Sequence, residues 1–265
     1  MNLIKTKTAL TFLPMMLLTN SILAQSVRKP NAAEKKVFYK AIPVIVSFLD
    51  KFGNDDWTLD QNWYNGDPLV PTDYNDRGPI GIDQNFERDY VVNQDSKRFN
   101  QIIKPLYDKS QILLNKLVAK IKEYEKNPSA KAEKEYGKRT PLNDSLDAIN
   151  NKLEELNELH VYAYINRANI SGKPATDVQV KGSAMVTKTN EGYMAYDYFK
   201  SYYIAFGNWK TAKWNANDNL YDFKFKDTKT PSIQNIVIIM TGAQDRMQEL
   251  MNKIDWSVLN KALTN

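Results

Sequence analysis

Apolar side chains recur along three stretches of the chain at alternating spacings of four and three, the period of a helix that buries one stripe. In residues 31 to 52, Phe38, Ile42, Ile45, Leu49 and Phe52 share a face. Pro43, which has no N–H to give, is expected to kink this helix and Gly53 to end it. From about Ser96 to Lys126, Phe99, Ile103, Leu106, Leu113, Leu117 and Tyr124 keep register behind Asp95 or Ser96 as N-cap. Pro105 should bend that helix, and Ser110 weakens its seam. A third stripe begins at Asn143 or Asp144 and places Leu146, Ile149, Leu153, Leu156, His160, Ala163 and Ile170 together, before Ser171, Gly172 and Pro174 supply a stop. It predicts helix to about Ile170, with 161–165 as the stretch that could switch to strand. The second and third segments, joined by the charged linker 127–141, predict an antiparallel helical hairpin.

After Pro174 the period shortens and β-branched and aromatic residues take over. Val178, Val180, Ala184 and Val186 mark a strand, Asn190-Glu191-Gly192 a turn, and 193–206 a Tyr-rich strand or pair of strands. Tyr193, Tyr196, Lys200 and Tyr203 also fit a helical face, which leaves a mostly α protein as the alternative. Tyr221 to Phe225 alternates as a half-buried strand, and Ile236 to Met240 is a continuous apolar run suited to the centre of a sheet. A final helix over 243–263 would bury Met247, Leu250, Met251, Ile254 and Leu259. The expected fold class is α+β in a single domain, residues 25–265. Its helical part, with the long hairpin, spans about 31–172, and an antiparallel or mixed sheet with the last helix occupies about 175–265.

Residues 1–24 lie outside that pattern. Lys5 and Lys7 precede an uncharged, mostly apolar run that ends Ser21-Ile22-Leu23-Ala24, which reads as a secretory signal peptide cleaved near Ala24. The expected address is periplasmic or secreted. Pro14, Thr19, Asn20 and Ser21 break the run below the roughly 20 apolar residues of a bilayer span. With no Cys in the chain there is no disulfide to staple the fold and no thiol to carry a lipid, so neither a transmembrane nor a lipid anchor is expected. The net charge of +5 falls to +3 without Lys5 and Lys7, too mild to point to nucleic acid.

Charge distribution carries more than the total. Eleven acids against three bases between Asp50 and Asp95 give −8, and twelve bases against five acids between Lys97 and Arg139 give +7. Two adjacent segments of opposite sign are expected to attract each other within the fold. The acidic one also holds Trp57, Trp63, Tyr64, Tyr74, Phe86 and Tyr90 without a clear period, a long loop whose rings argue for packing rather than disorder.

The search for chemistry returns mostly absences. Ten glycines form no phosphate loop and no dinucleotide turn, and one His with no Cys excludes a Cys/His zinc site. His160 is the single imidazole and is expected to pack in the third helical stripe, since no G-x-S-x-G elbow accompanies it. Ser26-Val27-Arg28-Lys29 matches S-x-x-K but follows the cleavage point directly, where a free terminus cannot preorganise a nucleophile. Asp55, Asp56, Asp60, Glu87 and Asp89 could supply the paired carboxylates of a glycosidase. Trp57, Trp63, Tyr64, Trp209 and Trp214 are the candidate ligand-binding rings. Asp73, Asn75, Asp76 and Asp83 could hold calcium beside Gly78, although Arg77 and Gln84 break the EF-hand template; no other cofactor is expected.

These observations point to a non-catalytic binding or interaction module of the cell envelope, with a glycan or an envelope protein as partner. The alternatives are a carbohydrate-active hydrolase using carboxylates of 50–95, and an envelope protein that self-associates through the hairpin.

Overall fold

The computed structural model describes residues 27–64, 70–71, 84–126, 140–190, 200–226 and 231–264. Residues 1–24, expected from the sequence to be a signal peptide, and the Asp73, Asn75, Asp76, Asp83 set lie outside these residues. In chain order the first half comprises β1 (Val27–Arg28), α1 (Ala32–Leu49), β2 (Trp57–Tyr64), β3 (Val70–Pro71), β4 (Gln84–Val92), α2 (Lys104–Lys126) and α3 (Pro141–Asn157). The second comprises β5 (Glu158–Ile165), β6 (Asn169–Ser171), β7 (Lys173–Pro174), β8 (Met185–Thr189), β9 (Ser201–Gly207), β10 (Lys213–Asn215), β11 (Leu220–Asp222), β12 (Asn235–Gly242) and α4 (Gln244–Lys253). A 3-10 segment, Trp256–Ala262, follows. The fold is α+β.

Seven strands form one antiparallel sheet in the order β2-β4-β5-β12-β9-β8-β7. The apolar run of β12 is the middle strand and every one of its residues is buried, because both faces of the sheet are covered. On one face α1, α4 and the 3-10 segment pack a core in which Trp256 lies 4.8 Å from Phe48 and stacks parallel to Phe206 at 6.3 Å. On the other, a three-stranded sheet, β10-β11-β6, helps enclose a smaller core of Tyr162, Tyr203, Trp209, Phe223, Val237 and Ile239.

Local chemistry accounts for the helix ends. Asn31 caps α1 by accepting from Glu34 N (3.0 Å), while Glu34 Oε2 accepts from Asn31 N (2.7 Å). The predicted Gly53 stop is replaced by a 3-10 turn, Asp50–Phe52, and Gly53 itself is extended at φ −73. Ser96 is the N-cap before α2, its Oγ accepting from Phe99 N (3.0 Å). A wide π turn over Phe99–Ile103, closed by Lys104 N–H to Phe99 O, absorbs the strain ahead of Pro105, which has no N–H. Thr140 and Pro141 start α3 earlier than its sequence stripe indicates.

Two expectations are corrected. The third stripe does not stay helical to Ile170: α3 ends at Asn157 and β5 begins at Glu158. Leu159, Val161, Ala163 and Ile165 alternate at a period of two across the helical stripe through His160 and Ala163, and pairing with β4 on one edge and β12 on the other satisfies the β5 backbone. Segment 50–95 is not a long loop, since β2 and β4 pair over most of their length, with a bulge between Leu59 and Gln61. The sheet therefore draws β2, β4 and β5 from the half expected to be helical.

Candidate functional site

Helices α2 and α3 leave the body of the protein as a two-helix arm. Their antiparallel course follows from Ser110, near the start of α2, donating to Asn150 of α3 (2.8 Å), and from Phe99 and Ile103 meeting Leu153 around one groove. At 1.5 Å per residue, the 23 residues of α2 reach about 35 Å. Leu106, Leu113, Leu117 and Tyr124 turn toward α3 and are half-buried, and the one buried residue of α2 is Ser110. Tyr107, Leu114 and Val118, at spacings of seven and four, form a second stripe beside that seam and are 54, 38 and 38 % exposed. The shaft of the arm is otherwise basic, with Lys109, Lys116, Lys120 and Lys122 exposed.

Two charged pins fix the root of the arm. Arg98 donates to both carboxylate oxygens of Asp245 on α4 (2.6 and 3.1 Å) and to Leu156 O at the end of α3 (3.1 Å), with its guanidinium 5.1 Å from the centre of the Trp57 ring. His160 lies on β5 opposite Asp89 of β4, and its Nδ1–H donates to Asp89 Oδ1 at 2.7 Å. Its Nε2–H donates to Glu158 Oε2 at 3.3 Å, on the residue where α3 becomes β5. Burial would lower the imidazole pKa, but its hydrogen bonds to the Asp89 and Glu158 carboxylates outweigh it and raise the pKa to about 9. His160 is therefore an imidazolium at neutral pH, with both N–H groups donating.

Between the pins lies a groove of about 590 Å3. Val92, Phe99, Ile103, Tyr107 and Leu153 form its wall, and Glu154 and Glu158 stand on its rim. Tyr107 belongs to both the groove and the exposed stripe, so the two surfaces are continuous.

The rings singled out in the sequence separate by burial. Trp57 (2 % exposed) and Trp209 (0 %) are core residues and offer no stacking surface, whereas Trp63 (60 %) and Trp214 (40 %) are exposed. Trp63 Nε1 donates to Gln61 Oε1 (3.1 Å), and Trp214 packs on Tyr221 at 4.8 Å between ring centres. Tyr64 ends β2. Asp55 and Asp60 are exposed and Asp56 half-buried. Asp89 is bound to His160, and Glu87, two residues away on the same strand face, pairs in register with Trp63.

The arrangement around His160 is a charge clamp. A general base must be neutral near the working pH, and here the ring is cationic with both nitrogens engaged by carboxylates. Ser201, two strands away, bonds to Thr241. Among the described residues no group of three or more His, Asp or Glu is placed to hold a metal ion, and no helix is long and apolar enough to cross a membrane.

Sequence reasoning overlooked Arg98 and Glu158. Arg98 is one of twelve bases in its segment and nothing local distinguishes it; the alternation Glu158-x-His160 becomes visible only once 158–165 is read as strand. No family model, no curated protein and no solved structure matches this chain, so the site stands on its own geometry.

Proposed function

We propose that this protein is an exported, non-catalytic interaction module, and that its docking surface is the groove at the root of the helical arm together with the Tyr107, Leu114, Val118 stripe. One observation carries the reading: a helix about 35 Å long holds a single buried residue, while an apolar stripe along it faces solvent beside a preformed groove. A two-helix arm with a second apolar stripe is short of one helix, and an amphipathic helix of a partner protein would complete it. The Arg98 and His160 pins favour this use, because a root held in place lowers the ordering cost of binding. The partner chemistry that fits is an apolar face with a basic group toward Glu154 and Glu158 and acidic groups along the lysines of the shaft.

Photo-crosslinking from positions 107, 114 and 118 in the producing cell tests the reading. A discrete heterologous product, lost when Leu114→Lys and Val118→Lys are combined, is the expected result. Crosslinks from one copy to another would replace it with self-association through the same stripe, and no crosslink from any of the three positions would overturn both.

A glycan-binding reading has one observation in its favour, the exposed Trp63 ring held by Gln61 beside Glu87. Titration with cell-wall glycans separates it from the arm: binding abolished by Trp63→Ala and untouched by the arm substitutions would establish it.

A further inference from the structure

At the other end of the central strand from the arm, where β9 ends and β12 begins, the surface closes around a cavity of about 440 Å3. That volume falls within the range of small-molecule sites. Three lysines reach it from two directions: Lys210 from the 3-10 turn after β9, Lys224 and Lys226 from the segment after β11. Among the described residues no acidic residue lines it and none of the three lysines forms an ion pair. Lys104, Lys152, Lys188 and Lys253, by contrast, each meet a carboxylate.

The frame of this cavity is fixed by hydrogen bonds. The Gln234 side chain grips the Lys226 backbone at both groups, accepting from its N–H (2.7 Å) and donating to its carbonyl (2.8 Å). Thr264 closes the C-terminal wall by accepting from Ile233 N at Oγ1 (2.5 Å) and donating its own N–H to Ile233 O (2.9 Å). Lys210 follows directly on Trp209, a wholly buried ring packed 4.8 Å from Phe223, so the turn that carries this lysine is anchored in the core. Phe223, Ile233 and Leu263 give the cavity an apolar wall beside its cationic one.

Three cationic residues lining one hollow give it a positive potential that favours an anion, and a purely inorganic anion would leave the apolar wall wet. We propose that this cavity binds an organic phosphate, a phosphate monoester with an apolar body, its dianion among Lys210, Lys224 and Lys226 and its body against Phe223, Ile233 and Leu263. The site is independent of the arm and of any partner docked there.

Calorimetric titration of the whole protein with phenyl phosphate is the test, with inorganic phosphate, benzoate and benzyl alcohol as comparison ligands. Phenyl phosphate should bind with a Kd of roughly 1 mM or tighter and lose affinity as salt is raised. Inorganic phosphate and benzoate should each bind at least about tenfold more weakly, and benzyl alcohol not measurably. Combining Lys210→Gln, Lys224→Gln and Lys226→Gln should weaken phenyl phosphate at least about tenfold with the melting temperature preserved, since all three side chains are exposed; Lys173→Gln should change nothing. Absence of binding by the wild type, equal binding by the triple variant, or benzoate binding as tightly as phenyl phosphate would each overturn the proposal.

Discussion

Burial alone would lower the His160 pKa, and its hydrogen bonds to the Asp89 and Glu158 carboxylates reverse that, holding it at about 9. A folded-state pKa above the unfolded value of about 6.5 means that the clamp contributes its full stability below about pH 6.5 and loses it as pH rises through about 9. The linkage amounts to at most on the order of 3 kcal/mol, reduced by solvent at Glu158, whose side chain is 35 % exposed. Urea unfolding followed from pH 6 to pH 10 should show the wild type weakening across that window. His160→Gln should be weaker than the wild type at pH 6 and should lack that slope; a parallel slope in the variant would assign the pH dependence elsewhere. Arg88 is a different case. It is 4 % exposed, its Nε has no hydrogen-bond partner, and among the described residues it pairs with no carboxylate, its guanidinium donating one hydrogen bond, to Glu87 O (3.4 Å). A buried cation without a counter-charge is a cost to the fold, so Arg88→Met should be neutral or stabilising by about 1 kcal/mol in the same assay. Neither environment is legible in the sequence, where Asp89 and His160 lie 71 positions apart.

Among the elements, α1 and β12 were the most legible, because their signals are local and strong. Phe38, Ile42, Ile45 and Leu49 recur at the helical period, and the unbroken Ile236 to Met240 run has few uses except the middle of a sheet. Segment 158–165 is apolar almost throughout, so periodicity does not assign it and its neighbours in the sheet decide. The end of β12 makes that dependence testable. Gly242 adopts φ +115 opposite Leu159, and a Cβ there would collide with the Glu158 carbonyl at the root of the arm. Gly242→Ala should destabilise the protein by at least about 2 kcal/mol, read from the urea midpoint. The arm itself should open without the body. Amides of α2 beyond Ser110 should exchange at least about tenfold faster than those of Asn235–Gly242, as expected of a helix held along one seam. Equal protection in hydrogen exchange would mean that something else covers the shaft.

At the scale of the molecule, the sheet is closed over on both faces while the arm stands out from it, and the docking prediction belongs to that contrast. Combining Leu114→Lys with Val118→Lys should leave unfolding free energy within about 0.5 kcal/mol, because both residues are already 38 % exposed. The same change should weaken partner binding by about a hundredfold, each side chain losing on the order of 1.4 kcal/mol of burial. Among the described residues, no ion pair joins 50–95 to 97–139. The acidic strands join the sheet, and among the described residues Arg98 of the basic segment meets Trp57 of the acidic one by its ring face, while the carboxylate it pairs with is Asp245, outside both segments. Trp63, the second ring of that segment, stays in solvent. By itself the sequence indicated the α+β class over a mostly α alternative, the helical hairpin and the central strand, because period, caps and turn residues act within a few positions and their energies do not depend on distant partners. Tertiary structure alone decided that Trp57 and Trp209 are buried while Trp63 and Trp214 are not, that His160 meets two carboxylates, and that three lysines surround one cavity. Those outcomes depend on which strands lie side by side and in which register, and register is fixed by the whole sheet rather than by any stretch of the chain.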